Sequence, residues 1–154
     1  ADAIQSQVAS VEDLFPTLTE LVSVETPSNH TVDGHALQTI LRGETDASRE
    51  QQFLKHYPHG RHRSNYFTVW RDGDWKVIYH SLPNEPTTGG FIQFEDGNYE
   101  LFNLRNDPFE STNLATSEPD RLRRMMEALV RELQDHDAVY AIDDSGKPLV
   151  PKLP

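Results

Sequence analysis

The chain has 154 residues, no cysteine, and a formal net charge of −11 from 14 Lys and Arg against 25 Asp and Glu. Without thiols, disulfide scaffolds, thiolate catalysis and cysteine-bound zinc are excluded, and so acidic a chain is a poor match for a nucleic-acid backbone. Hydrophobic residues make up 36%, lean for a single domain of this length; no apolar run approaches the ~20 residues of a membrane span, and the opening Ala1-Asp2-Ala3-Ile4-Gln5 lacks the form of a signal peptide.

The first periodic segment runs from Asp13 to about Val24. Leu14, Leu18, Leu21 and Val22 recur at i, i+4, i+7 and i+8, one face of a helix. Asp13 suits the N-cap, and Pro16 then falls in the first turn, where amides lack intrahelical partners anyway. Residues 27–52 are polar and turn-rich, and predict an ordered loop with at most a short helix. Asn29-His30-Thr31 has the form of a glycosylation sequon, a pattern common by chance. Asn65–Trp70 and Trp75–His80 are β-branched and aromatic around Asp72-Gly73, a strong hairpin signal. Phe91–Phe94 and Tyr99–Leu104 around Glu95-Asp96-Gly97-Asn98 predict a second hairpin. Leu122, Met125, Met126, Leu129, Val130 and Leu133 form an amphipathic stripe over residues 118–136. Ser117 with Asp120 has the form of a capping box, and the arginines off the stripe predict a solvated face. The methionines read as core. The tail from Asp143 to Pro154, with three prolines, is expected to run over the surface. The fold class is α+β: about four antiparallel strands with a long C-terminal helix on one face.

The charge is uneven. Residues 55–80 hold five bases, two acids and four of the seven histidines, inside an acidic protein. A local positive patch attracts anions, although strands with Lys and Arg on a wet face produce the same pattern. Within it lies His56-Tyr57-Pro58-His59-Gly60-Arg61-His62. Pro58 and Gly60 interrupt any helix and no carboxylate lies in the cluster, which argues against a metal site. A loop whose imidazoles and Arg61 and Arg63 meet an anion or a sugar hydroxyl is the functional reading; a loop held by Tyr57 with exposed histidines is the bland one. Asp107 and Glu110 stand in a turn, where acids are ordinarily caps rather than a catalytic pair. No Gly-rich phosphate loop, nucleophile elbow or HExxH is present.

Four blocks carry a family resemblance. Val11-Glu12-Asp13-Leu14-Phe15-Pro16-Thr17-Leu18 resembles the sulfatase segment S-V-D-L-x-P-T-L. Asp33-Gly34-His35-Ala36-Leu37 with Leu41-Arg42-Gly43 is similar to D-G-x-S-L…L-x-G. Arg71-Asp72-Gly73-Asp74-Trp75-Lys76-Val77-Ile78 resembles R-x-G-D-W-K-L-I. Glu100-Leu101-Phe102-Asn103-Leu104, Asp107-Pro108-Phe109-Glu110 and Asn113-Leu114-Ala115 resemble E-L-Y-D-L…D-P-x-E…N-L-A. The blocks keep the family order and cover roughly residues 8–135.

The resemblance implies the C-terminal portion of a sulfatase, a sulfuric ester hydrolase of the alkaline-phosphatase-like superfamily. It implies that residues 1–54 are the last helix and connecting loops of a catalytic domain and that residues 55–154 are the C-terminal subdomain. In the family, a formylglycine nucleophile from a C/S-x-P-x-R motif and a calcium held by Asp and Asn lie in the larger N-terminal domain. Ser117-x-Pro119-x-Arg121 matches that motif in letters but follows the last block and has Asp120 before the arginine. The expectation is therefore a chain with no catalytic residue, metal ligand or cofactor of its own, inactive alone. In the longer parent it would buttress the catalytic domain and lend His56, His59 and Arg61 to the substrate side. The alternative is a free-standing module that binds sulfated or other anionic glycans. The implied partners are the absent catalytic domain and a sulfated small molecule or glycan, with no nucleic acid and no membrane. Self-association through the Asp13–Val24 helix is expected, and the resemblance implies a periplasmic or secreted location.

Overall fold

The computed structural model describes residues 4–59, 66–82 and 97–154. The chain forms two compact units, residues 1–51 and 52–154.

In the first unit a short 3-10 turn, Val11–Asp13, leads into helix α1, Leu14–Leu21, and a one-turn helix α2, Gln38–Leu41, follows a loop. Helix α1 is shorter than the apolar periodicity suggested. Ser23 adopts φ 56, and the amides of Ser23 and Val24 bond back to the carbonyls of Glu20 and Thr19 at 3.1 and 2.9 Å. This left-handed stop closes the helix and satisfies two of its last carbonyls. Asp13 stands at the N-cap position but makes no side-chain cap bond. Its carboxylate turns away from the helix and accepts the Ser10 amide at 2.8 Å, the His35 amide at 2.8 Å, and the Arg49 guanidinium. Arg49 also donates to the carbonyls of Val8 and His35. Asp13 and Arg49 are both buried, so each charge depends on the other. Thr17 adds a second tie: its hydroxyl donates to the Asp13 carbonyl at 2.6 Å and accepts the Leu37 amide at 2.9 Å. Gly34 is required here because a Cβ at that position would lie 2.2 Å from the Glu12 carbonyl oxygen.

These polar ties reverse the usual polarity of a helix. Thr17 is the residue α1 buries, at 5% exposure, whereas Leu18 and Leu21 are 61% and 62% exposed. Val11, Leu14, Phe15, Val22 and Val24 are exposed with them.

The second unit is a four-stranded antiparallel sheet in the order β1-β2-β3-β4, with β1 Gln52–Tyr57, β2 Phe67–Asp72, β3 Trp75–His80 and β4 Tyr99–Asn103, covered by helix α3, Pro119–Asp135. The fold is α+β. The β2–β3 hairpin forms as expected, one residue later in the turn: Asp72 pairs with Trp75, and Gly73 supplies φ 57. Strand β1 lies where a loop was expected. Its residues Gln-Phe-Leu-Lys-His-Tyr place apolar groups on both faces, so no clean alternation signals a strand. The expected strand Phe91–Phe94 lies outside the described residues.

Register sorts the side chains. Leu54, Trp70, Val77 and Leu101 form one row across the helix-side face, and His56, Thr68, Tyr79 and Tyr99 form the next. Helix α3 lays Leu122, Met125, Met126, Leu129 and Leu133 on this face, all buried, which confirms the methionines as core. Ser117 makes no cap bond to α3; its hydroxyl donates to the Leu114 carbonyl, and Pro119 opens the helix. Arg121 is not a solvated residue. Its guanidinium lies 4.7 Å from the Trp75 ring centre, a cation–π contact.

Candidate functional site

The candidate site centres on the end of β1. Lys55 and Tyr57 project to the face opposite the helix, and His56 to the helix side, as strand alternation requires. Tyr57 stacks on its register partner Phe67 at 5.3 Å, and His59 meets the Tyr57 ring edge-on at 5.3 Å. His59 is exposed. Arg61, with His62 and Arg63, lies outside the described residues.

Both nitrogens of His56 are engaged within the protein. Nε2 lies 3.0 Å from the Val139 carbonyl and Nδ1 lies 2.8 Å from the Thr68 hydroxyl. A carbonyl only accepts, so Nε2 carries the hydrogen, and in the neutral ring Nδ1 accepts from Thr68. Burial holds this imidazole below the ordinary histidine range; the Val139 bond opposes the shift and the nearby His59 adds to it.

Of the bases in the central island, the described Lys55, Arg71 and Lys76 sit on the face away from α3. Lys76 is bound by both carboxylate oxygens of Glu110, at 2.7 and 2.8 Å. Arg71 donates to the Gly73 carbonyl at 2.9 Å. One group escaped sequence reasoning: His80 is buried on this face and lies 2.7 Å from the Glu100 carboxylate. Glu100 pairs with Ile78, so His80 is its diagonal neighbour on the same face. Only the β3–β4 register reveals that pairing, and the turn-rich stretch between the strands concealed it.

The quoted blocks prove to be contacts of the scaffold. Asp107 accepts the Thr112 amide at 2.9 Å and caps its turn, while Glu110 adopts φ 56 and takes Lys76 from the hairpin block. Asn113 closes the outer edge of β4. Its side-chain oxygen accepts the Leu101 amide at 3.0 Å, its NH₂ donates to the Tyr99 carbonyl at 3.1 Å, and the Leu114 amide adds a bond to the Leu101 carbonyl at 2.8 Å. A side chain thus occupies the position of a fifth strand.

No protein-family model matches the chain. Over 112 residues it is 30% identical to a sulfatase of Formosa agariphila, covering 71% of this chain and 19% of that protein. Mouse steryl-sulfatase is 27% identical over 152 residues, covering 88% of this chain and 23% of the relative. This chain is a relative of the sulfatases. It spans about a fifth of the length of the curated sulfatases it matches.

Among solved structures, a protein in complex with its substrate D-glucosamine-2-N,6-O-disulfate superposes with a TM-score of 0.58 at 18% identity, covering 91% of this chain and 25% of that one. The phosphonate monoester hydrolase of Agrobacterium radiobacter superposes with a TM-score of 0.55 at 19% identity, covering 96% of this chain and 30% of that one. These likenesses establish the fold alone.

Among the described residues no group of three or more His, Asp or Glu is placed to hold a metal ion. Ser117 does not fit a formylglycine nucleophile either. Its hydroxyl donates to the Leu114 carbonyl, Pro119 starts a helix beside it, and Arg121 is held on Trp75. No helix among the described residues is long and apolar enough to cross a membrane.

Proposed function

We propose that this chain is the C-terminal part of a sulfuric ester hydrolase and that its own role is non-catalytic: it buttresses the catalytic domain and lends residues following β1 to the substrate side of the pocket. The outward apolar face of α1 carries this reading. Polar bonds from Thr17 and Asp13 fix the helix with Leu14, Leu18, Leu21 and Val22 toward solvent. An exposed apolar face of this kind marks a surface on which a partner packs. The scaffold role of the block residues adds support, since Asp13, Gly34, Lys76, Glu110 and Asn113 are all engaged in holding structure.

In this reading the calcium and the formylglycine belong to the catalytic domain. The substrate is a sulfate ester of a small molecule or glycan. His59 is exposed and uncommitted to a hydrogen bond among the described residues, so His59 and Arg61 are the groups offered to the sulfate or an adjoining hydroxyl. His56 acts from behind, fixing the strand end from which that segment leaves.

Steady-state kinetics of the full-length parent test both parts. Replacing His59 and Arg61 by Ala should raise KM for the sulfated substrate several-fold with kcat little changed; unchanged KM removes them from the site. Replacing Leu18 and Leu21 by Glu should abolish soluble, active parent, whereas a fully active double variant would refute the buttress. The free-standing glycan module makes a different prediction: the isolated chain alone would bind a sulfated oligosaccharide, and high salt would release it.

A further inference from the structure

The two outer strands of the sheet end differently. In an antiparallel sheet each residue turns its N–H and C=O to the same side, and successive residues alternate between the two neighbours. The His80 amide bonds the Asn98 carbonyl at 2.8 Å, so the even-numbered residues of β3 face β4 and the odd-numbered ones face β2. Carried across the register, Phe67, Val69 and Arg71 of β2 bond Tyr57, Lys55 and Phe53. Gln52, Leu54 and His56 therefore turn their main-chain groups outward. The same alternation turns Tyr99 and Leu101 outward on β4, where Asn113 and Leu114 take them up. On β1 no group among the described residues bonds the outward N–H and C=O of Gln52, Leu54 and His56.

Two further features set β1 apart from a finished edge. Its apolar side chains lie on both faces: Leu54 packs against the helix-side core, and Phe53 and Tyr57 stand opposite. That is the pattern of an interior strand, whereas edge strands are commonly blunted by a proline, a bulge or brevity. Strand β1 pairs one to one with β2 over all six residues and contains no proline. Its one charged residue, Lys55, is exposed and makes no ion pair among the described residues, while Lys76 on the same face is held by Glu110.

We propose that β1 is an interior strand in the parent protein: an extended segment of the polypeptide beyond this chain adds along Gln52–His56. The added strand places a carboxylate beside Lys55 and an apolar side chain beside Leu54. This rests on the reading of the chain as part of a longer hydrolase. The chain spans about a fifth of the curated sulfatases it matches, and the outward groups need only about five extended residues at ~3.4 Å each. A second copy is a poorer occupant. Two β1 strands paired about Leu54 set their Lys55 side chains diagonally across one face, neither gaining a counter-charge, in chains of net charge −11.

Residue-resolved hydrogen exchange of this chain at micromolar concentration, and of the full-length parent, tests the proposal. In the chain alone the Leu54 and His56 amides should exchange at least about tenfold faster than those of Phe53 and Lys55. In the parent they should slow by at least about tenfold, to the level of those neighbours. Equal exchange of Leu54 and His56 in chain and parent overturns the proposal. So does protection that appears in the chain alone as its concentration rises, because the occupant is then a second copy. Lys55→Glu gives an independent readout: the melting temperature of the parent should fall by several degrees while that of the chain alone stays unchanged. The same response in both refutes a carboxylate beside Lys55. A parent that hydrolyses sulfate esters, with KM responsive to His59 and Arg61, but leaves Leu54 and His56 unprotected keeps the functional reading and ends this one.

Discussion

At the scale of single residues, the first unit depends on contacts that no apolar ledger records. Gly34 lies against the Glu12 carbonyl, where a methyl group has no room. Gly34→Ala should cost about 2–3 kcal/mol, because backbone rather than a flexible side chain must give way. Thermal denaturation checks it; a melting temperature within a degree of the parent would contradict the geometry. Asp13→Ala is expected to be worse, about 3–5 kcal/mol, since Arg49 would remain buried without its counter-charge. Asp13 also marks a limit of sequence reading. Its place before an apolar helix made it an N-cap on local grounds. Its partners Ser10, His35 and Arg49 are up to 36 residues away, and a contact over that distance leaves no local pattern. Pro16 was legible because its constraint is local: wherever the helix starts just before it, it falls in the first turn.

At the scale of elements, stability is concentrated between α3 and the sheet. Met126 and Leu129 are fully buried in that layer, and Met126→Ala or Leu129→Ala should each cost about 2–5 kcal/mol. Lys76→Met should cost no more than about 1 kcal/mol, because the Lys76–Glu110 pair is partly exposed. Urea denaturation of the three variants checks the order; a larger loss in Lys76→Met than in Leu129→Ala would reverse it. Helix α3 was readable because one face is apolar at the helical period, and the β2–β3 hairpin because Asp72-Gly73 stands between two β-branched and aromatic runs. Strand β1 was not, since Phe53 and Tyr57 lie on one face and Leu54 on the other. His56 was conspicuous for its neighbours in sequence, yet its actual partners are Thr68 and Val139, 12 and 83 residues away.

At the scale of the whole molecule, α1 presents an exposed apolar face set among acids. Glu12, Glu20 and Glu25 flank the α1 stripe. The isolated chain should self-associate with rising concentration, more strongly at high salt, where repulsion between the acidic rims is screened. Light scattering checks this: Leu18→Glu should return the chain to monomer, and a native chain monomeric at millimolar concentration would contradict it. The family was legible from blocks of residues even though the reaction was not. Those residues hold turns, edges and ion pairs, and the fold they build is shared with a phosphonate monoester hydrolase as well as with sulfatases.

The Asn113 carboxamide has a consequence for the ageing of the protein. It needs both its oxygen and its NH₂ to finish the edge of β4. Deamidation would leave a carboxylate able to serve Leu101 but set against the Tyr99 carbonyl, oxygen facing oxygen. Stored material would then begin to part along this seam, in a protein whose covalent chain had gained less than one mass unit.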